Sequence, residues 1–169
     1  MTSIIPGTDL EVEKNFNDGT MWTLRDFVLE DGIILGDGTM LPAGERFFTW
    51  SQAMALQKMG AFHEGCRLPK AEEVETLARH RSVSKRYKFD TLHGFLDRPH
   101  HGERRRKGMD TNVSYWTSDA DEKDAVVLEI YRIWRTGYTY DFYALHDYAI
   151  KRSSSQDYGF CIRLVYDPQ

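Results

Sequence analysis

Hydrophobic side chains recur at every second position in three segments of the last third of the chain. The segments are residues 126–131, 138–145 and 160–165, and Gly137 separates the first two. A period of two is typical of β-strands, in which successive side chains point to opposite faces of a sheet. We therefore predict an antiparallel sheet in this part of the chain, with a turn at Gly137.

Two segments in the first half of the chain have the spacing of helices. The first begins near Thr49 or Ser51, either of which is a suitable N-cap, and ends at Gly60. The second begins at Pro69, whose missing N–H costs nothing in a first turn, and continues over residues 70–80. Short extended segments and Asp-Gly turns precede the first helix, and a long irregular segment follows the second.

The order of these elements predicts the fold class. Small strands come first, then two helices, a long loop and an antiparallel sheet, which is the order of an α+β domain. The chain has 169 residues, enough to bury a core as one domain. Residues 1–20 are polar and contain several chain-breaking residues, so we separate them as an N-terminal arm from a domain over residues 21–169.

Charge is distributed unevenly, although the formal net charge of −4 is small. Residues 79–107 contain ten Lys and Arg against three acidic residues. This segment could bind an anionic partner, or it could be a solvated loop that offsets the acidic remainder. It lacks the aromatic stacking pattern of nucleic-acid modules, so we predict no nucleic-acid partner. We also predict no membrane insertion, because no segment is apolar enough to span a bilayer and no signal-peptide pattern is present.

The candidate metal and redox residues do not match a known site pattern. Cys66 and Cys161 have no zinc-type spacing, and we expect two reduced thiols. His100 and His101 with Glu103 could ligate a metal, but they lie in a basic loop without evident supporting residues. The acidic residues between 119 and 124 fail the EF-hand pattern. We therefore predict no cofactor, no metal and no catalytic residue.

Aromatic and charged side chains are concentrated between residues 131 and 152 in the last third of the chain, which suits a recognition surface. Tyr and Trp supply large contact areas at low entropic cost, and Asp, His and Arg supply adaptable polar contacts. The alternative is a half-buried sheet with tyrosines on its solvated face. Because side chains alternate along a strand, about half of the aromatic run should face inward. The aromatic run consists of Tyr131, Trp134, Tyr138, Tyr140, Phe142, Tyr143 and Tyr148. The predicted ligand-binding residues are Arg132, Trp134, Tyr138, Tyr140, Asp141, Tyr143, His146, Tyr148, Lys151 and Arg152.

Five motifs occur in an order that resembles a known fold family. They are Trp50 with Ala53, Cys-Arg-Leu-Pro at 66–69 before the helix, Gly-Phe at 94–95, Tyr-Trp-Thr-Ser at 115–118, and Tyr-Gly-Phe-Cys-Ile-Arg-Leu-Val at 158–165. The series resembles the bacterial and phage branch of the C-type lectin-like fold. It is similar to the Fibrobacter major paralogous domain, to the C-terminal domain of Legionella collagen-like adhesins, and to the variable proteins that diversity-generating retroelements modify.

The resemblance implies paired N- and C-terminal strands, two helices flanking small antiparallel sheets, and a ligand surface on the last strands and loops. In the diversified members the stretch before the final strand is varied, and residues 138–148 contain residue types that such mutagenesis reaches. Lys70 and Val74 replace the usual Thr and Trp of the second-helix motif, and the closing motif usually has its Cys at the position of Leu164. The calcium motifs of vertebrate lectins are absent, so the resemblance implies no calcium site.

On these grounds we expect a non-enzymatic, calcium-independent binding module of phage or bacterial-surface type, located on a virion or a cell surface. Its expected partner is a cell-surface protein or a glycan, and trimerisation would raise its avidity. Two alternatives stay open. One is a structural subunit whose aromatic surface is an oligomer contact. The other is an oxidase similar to the formylglycine-generating enzymes, which share this general fold and use a pair of cysteines.

Overall fold

The computed structural model describes residues 2–79, 83–89, 91–99, 103–150 and 157–168. Strands contain 40% of these residues and helices contain 14%. In chain order the elements are β1 (Thr2–Ile4), β2 (Glu11–Lys14), β3 (Met21–Thr23), β4 (Ile33–Ile34), β5 (Met40–Leu41), α1 (Trp50–Lys58), β6 (Cys66–Arg67), α2 (Ala71–Ala78), α3 (Val83–Arg86), β7 (Phe95–Leu96), β8 (Arg106–Lys107), β9 (Asn112–Ala120), β10 (Asp124–Arg135), β11 (Tyr138–Ala149) and β12 (Val165–Tyr166).

The predicted α+β class, with two helices flanking small antiparallel sheets, is wrong. The described residues form three short helices, and strands contain almost three times as many residues as helices. The difference arises in the segments that the sequence assigned to an arm and a loop. Residues 1–20 contain β1 and β2, and the basic segment contains β7, β8 and the single turn of α3. These strands have only two to four residues each, too few for an alternating pattern to be recognised.

The last strand lies inside a five-stranded sheet of order β1-β2-β3-β12-β6. Val165 pairs with Trp22 on one side and with Arg67 on the other, both antiparallel. The first strand, β1, pairs with β2 and not with β12, so the implied pairing of the two terminal strands is also corrected. Three further sheets are β11-β10-β9, β4-β5 and β7-β8.

Helix α1 begins after Thr49, as the sequence predicts. The Thr49 hydroxyl accepts the backbone N–H of Gln52, and the Gln52 side chain accepts the backbone N–H of Thr49, which is a capping box. Helix α2 begins later than predicted, because Lys70 is its N-cap and Pro69 lies outside it. The Glu73 carboxylate accepts the backbone N–H of Lys70 at 2.8 Å, and the Asp119 carboxylate accepts the backbone N–H of Ala71 in the first turn.

The three-stranded sheet lies between two hydrophobic clusters. Val113, Leu128 and Ile130 belong to the cluster on one face, and Trp116 and Val127 belong to the cluster on the other. All five side chains are buried. Both faces of this sheet therefore carry buried side chains near its base, and its far end reaches solvent.

A buried arginine connects the last strand region to the core. Arg163 is 3% exposed, and its guanidinium lies 2.9 Å from the Asp26 carboxylate. The same carboxylate accepts the Tyr115 hydroxyl at 2.8 Å. Arg163 also donates to the carbonyl of Tyr87 and lies 4.1 Å from the ring centroid of Phe89. These contacts satisfy a buried charge with an ion pair, carbonyls and an aromatic face.

None of the helices that the structure describes is both long and apolar enough to cross a lipid bilayer.

Candidate functional site

The candidate site is the far end of the hairpin that β10 and β11 form. The two strands pair antiparallel over their full lengths, from Asp124 with Ala149 to Arg135 with Tyr138. The turn residues Thr136 and Gly137 both have positive φ, 48° and 83°. Positive φ at both central positions defines a type I′ turn, whose twist matches that of the flanking strands. The connection is therefore as short and rigid as a hairpin allows.

Only the base of this hairpin is supported by a third strand. Strand β9 pairs with β10 from Ala125 to Tyr131, and the last pair joins Tyr131 to Asn112. Beyond that pair the chain is two-stranded, and we call residues 132–141 the hairpin tip. Neither hydrophobic cluster includes a residue of this tip. A side chain there contacts its neighbours on the hairpin, Ser84 of α3, a ligand or solvent.

One face of the hairpin presents five large apolar or aromatic side chains to solvent. The strand register places Ile133 opposite Tyr140 and Tyr131 opposite Phe142, with Tyr138 next to the turn. Their exposure ranges from 37% for Tyr131 to 68% for Tyr138. We call this set the aromatic face; it consists of Tyr131, Ile133, Tyr138, Tyr140 and Phe142.

The opposite face of the hairpin carries its polar contacts and Trp134, which is 70% exposed. Arg132 donates to both carboxylate oxygens of Asp141, from Nε at 2.9 Å and from Nη2 at 3.1 Å. The two residues are direct cross-strand partners. A bidentate pair of this kind fixes both side chains in one orientation. We call this side the anchored face.

Helix α3 attaches to the anchored face through one serine. Ser84 Oγ lies 2.5 Å from Asp141 Oδ2 and 2.5 Å from the Tyr143 hydroxyl, which also accepts the Ser84 backbone N–H at 3.0 Å. Burial alone would raise the pKa of Asp141, but hydrogen bonds from Arg132 and Ser84 and the Arg132 charge lower it below its ordinary value. Asp141 is therefore a carboxylate at neutral pH, and this network holds the hairpin against α3.

A buried carboxylate lies under the inner edge of the aromatic face. Glu129 is 4% exposed, and its Oε2 lies 3.4 Å from His146 Nε2 and 3.5 Å from the Tyr148 hydroxyl. Burial raises the pKa of Tyr131, and so does its hydrogen bond to Glu129. These polar residues connect the aromatic face to the core, where Tyr148 packs against Phe160 at 5.0 Å between ring centroids.

The predicted ligand-binding residues separate into four groups. Tyr138 and Tyr140 lie on the aromatic face. The residues on the anchored face are Arg132, Trp134, Asp141 and Tyr143. His146 and Tyr148 are half-buried nearer the base. Lys151 and Arg152 lie outside the described residues. The predicted ligand-binding residues omit Tyr131, Ile133 and Phe142 of the aromatic face. The period of two could have placed Ile133 on the same side of its strand as Tyr131. Nothing in the sequence links Ser84 to the hairpin.

The other predicted candidates lie away from this surface or serve local structure. Cys66 is half-buried and Cys161 is buried, and both are free thiols. Burial raises the pKa of Cys66 to about 11 and raises that of Cys161 well above its ordinary value. Asp121 accepts the backbone N–H groups of Lys123 and Asp124 at 2.7 Å, so the acidic cluster forms a turn. No cluster of three or more metal-ligating side chains occurs among the described residues, which exclude 100–102.

Part of the basic segment is used inside the molecule. Arg104 donates to the carbonyl of Asp157 at 2.6 Å, and Arg106 donates to the carbonyl of His93 at 2.8 Å. Arg98 donates to the carbonyl of Ala149. These guanidinium groups attach the segment to the chain around it.

The chain matches no protein-family model, no curated protein and no solved structure.

Proposed function

We propose that this chain is a non-enzymatic binding module whose ligand contacts the aromatic face. The observation that carries the proposal is the exposure of five large side chains on one face of the hairpin of β10 and β11. A buried aromatic side chain covers about 150–250 Å², so the four half-exposed rings alone present on the order of 400 Å². Exposed apolar patches of that size on a soluble domain usually mark a binding site.

The rigidity of the hairpin supports the same proposal. The type I′ turn, the bidentate pair of Arg132 with Asp141, and Ser84 from α3 fix the tip before any ligand arrives. A ligand that binds a pre-ordered surface does not have to offset the entropy of ordering it. Tyrosine has few side-chain torsions, so its own ordering also costs little.

The state of the two thiols favours binding over covalent catalysis. A cysteine nucleophile acts as the thiolate, and functional cysteines usually have a lowered pKa. Burial raises the pKa of Cys66 to about 11 and that of Cys161 well above its ordinary value. Neither residue is therefore activated as a nucleophile, which counts against the oxidase alternative.

The proposed partner is a cell-surface protein or a glycan, and the proposed setting is a virion or bacterial surface. Two statements stay predictions that rest on sequence motifs. One is membership in the bacterial and phage lectin-like proteins, and the other is diversification of residues 131–155. A partial repeat of the coding sequence for this stretch, adjacent to a reverse-transcriptase gene, would support diversification. A genomic neighbourhood without either feature would contradict it.

The aromatic face can be tested with a paired set of variants. Tyr138→Ser and Tyr140→Ser remove exposed rings from the tip, and Phe16→Ser removes a ring of similar exposure, 66%, outside the hairpin. Each protein is applied to a glycan array and to an array of extracellular protein domains. Truncating a hot-spot aromatic weakens binding by about thirtyfold or more. We expect that loss for the two tip variants only. Equal signals for all three variants, or no specific signal from the unmodified chain, would overturn the proposal.

A second candidate is a structural subunit that uses the aromatic face as an oligomer contact. The exposed apolar area of the tip favours it, since a standard interface buries about 800 Å² per partner and the four rings supply about half of that. Sedimentation velocity over a range of protein concentrations distinguishes the two candidates. A trimer or dimer that Tyr140→Ser dissociates would favour the subunit, and a monomer that binds array ligands would favour the module.

A further inference from the structure

We infer that the free edge of β11 receives an extended segment of a protein partner as an additional strand. The inference rests on the proposed function and specifies its ligand as a peptide segment. It would place the segment beside β11 in the plane of the sheet, next to helix α3, with its side chains alternating between the aromatic face and the anchored face. The argument depends on the hydrogen-bond phase of β11, on the groove beside it and on the charges around that groove.

The phase of the hairpin defines which backbone groups are free. In an antiparallel pair, neighbouring residues point their N–H and C=O groups alternately toward and away from the partner strand. The Arg132 N–H donates to the carbonyl of Thr111, so even-numbered residues of β10 face away from β11. The register then directs the backbones of Thr139, Asp141 and Tyr143 away from β10. Among the described strands, β11 has one neighbour, β10. These three residues therefore form an open edge.

A groove on the anchored face borders this edge strand. It has a volume of about 570 Å³ and is open to solvent on one side. Helix α3, whose Ser84 contacts the side chains of Asp141 and Tyr143, forms one wall with Ser84 and Lys85. In β-augmentation, an extended peptide adds a strand to an exposed sheet edge, and nearby pockets for its alternate side chains give specificity. The groove is lined by Ser84, Lys85, Arg132, Thr139, Tyr140, Asp141 and Tyr143.

The charges around the groove indicate the chemistry of the segment. The Asp141 carboxylate is already bound by Arg132 and by the hydroxyl of Ser84. Lys85 is exposed, and none of the described residues forms an ion pair with it. A carboxylate on the incoming segment would therefore meet a cation on this side. On the other side of the strand, the side chains of the segment would meet Tyr138 and its aromatic neighbours. The segment that fits alternates acidic and apolar residues.

The same observations favour a peptide over a glycan. Sugar hydroxyls are usually fixed by carboxylate, amide or guanidinium groups beside an aromatic platform. On the side of the aromatic face the Glu129 carboxylate is buried and contacted by His146 and Tyr148, so the accessible polar groups there are Arg135, His146 and tyrosine hydroxyls. Asp141 and Arg132 lie on the opposite face and bind each other. A strand edge needs no such side chains, because the main chain of the peptide supplies the hydrogen bonds.

Synthetic peptides test the inference directly. The first probe is a capped peptide of about eight residues, a typical strand length, that alternates valine and glutamate. Matched probes replace glutamate by lysine, or keep the composition and group the valines together. Titration by fluorescence anisotropy should show binding of the alternating glutamate peptide at least about tenfold tighter than of either control. Lys85→Glu should reverse the preference between the glutamate and lysine peptides. Because Lys85 is exposed, this change leaves the core intact.

Amide exchange and N-methylation identify the mode of binding. The peptide should protect the amides of Thr139, Asp141 and Tyr143, and should leave those of Tyr138 and Tyr140 unchanged because β10 already binds them. N-methylation of the peptide amides that face β11 should abolish binding, whereas N-methylation of the alternate amides should not. These peptide changes do not depend on the folding of a protein variant.

The remaining outcomes separate this inference from the proposed function. The unmodified chain could bind a glycan or a folded domain, lose that binding in Tyr138→Ser, and show no protection of the three edge amides. That result would overturn the inference and leave the proposed function intact. Protection of those amides at high protein concentration without peptide would show a second copy on the edge and overturn the inference. Absence of all binding by the folded chain would overturn both.

Discussion

Replacing Arg163 by methionine should destabilise the domain more than any exposed charge change. Its guanidinium is 3% exposed, pairs with Asp26 at 2.9 Å, and donates to the carbonyls of Thr23, Tyr87 and Lys88. Methionine has a similar length, so most of the packing is kept and the effect reports the lost charge. The Asp26 carboxylate would then be buried without its main partner.

The magnitude follows from these contacts. Removing one member of a buried ion pair costs about 3–5 kcal/mol, because the remaining charge stays desolvated. A domain of this kind is stable by about 5–15 kcal/mol, so the loss is a large fraction of the total. At about 2–4 °C per kcal/mol, the melting temperature should fall by roughly 10 °C.

Urea unfolding followed by circular dichroism measures the effect, with Arg79→Met as the matched control. Arg79 pairs with Glu75 at 3.0 Å on the exposed side of α2, and both side chains are more than half exposed. Exposed pairs at this spacing contribute about 0.3–0.5 kcal/mol. Asp26→Asn and the double variant complete a double-mutant cycle. The double variant should lose less unfolding free energy than the sum of the two single losses. A loss below about 1 kcal/mol for Arg163→Met, or one equal to the control, would refute the reasoning.

Three further predictions test the backbone and the anchored face. Gly94→Ala should lower the free energy of unfolding by at least about 2 kcal/mol, because φ is +74° and a Cβ would lie 2.0 Å from the Lys107 carbonyl oxygen. Gly44→Ala is the control in the same urea assay and should cost about 1 kcal/mol, since φ is +86° and no atom lies within 4 Å of the added Cβ. Equal costs for the two variants would contradict the clash. Since the pKa of Asp141 is lowered in the folded state, its stabilisation is complete above its unfolded pKa of about 3.9 and is lost as the pH falls through the lower folded value. Amide protection in β11 should therefore fall from about pH 4 downward in the unmodified chain, and Asp141→Asn should show reduced protection with a weaker pH dependence; parallel curves would contradict this assignment. Ser84→Ala should lower protection in β11 by about 1 kcal/mol and leave α1 unaffected, and an effect of equal size in both elements would argue against a local anchor.

The sequence predicts the local elements of the hairpin well. Alternation through 126–131 and 138–145 with Gly137 between them predicts two strands and a turn, and these are β10 and β11. Thr49 predicts the start of α1. These features depend on residues close together in the chain, where periodicity and capping rules apply.

The remaining features depend on contacts between distant residues. Ser84 and Tyr143 are 59 positions apart, and Arg163 and Asp26 are 137 positions apart. No periodic pattern identifies such pairs. The short strands β1 and β7 also form only because a partner strand is present, so the sequence underestimates the strand content and the predicted α+β class fails.

The division of the sheet into a buried base and an exposed tip has a consequence for mutational tolerance. At the base, residues such as Val127 and Ile130 pack on both sides, and truncating them would create cavities that cost several kcal/mol. At the tip, a side chain such as Tyr140 projects into solvent, and surface substitutions usually change stability by less than about 0.5 kcal/mol. The hairpin can therefore exchange its outermost residues almost freely while the fold stays constant. Ligand preference at this surface could change quickly over evolution without a corresponding change in stability.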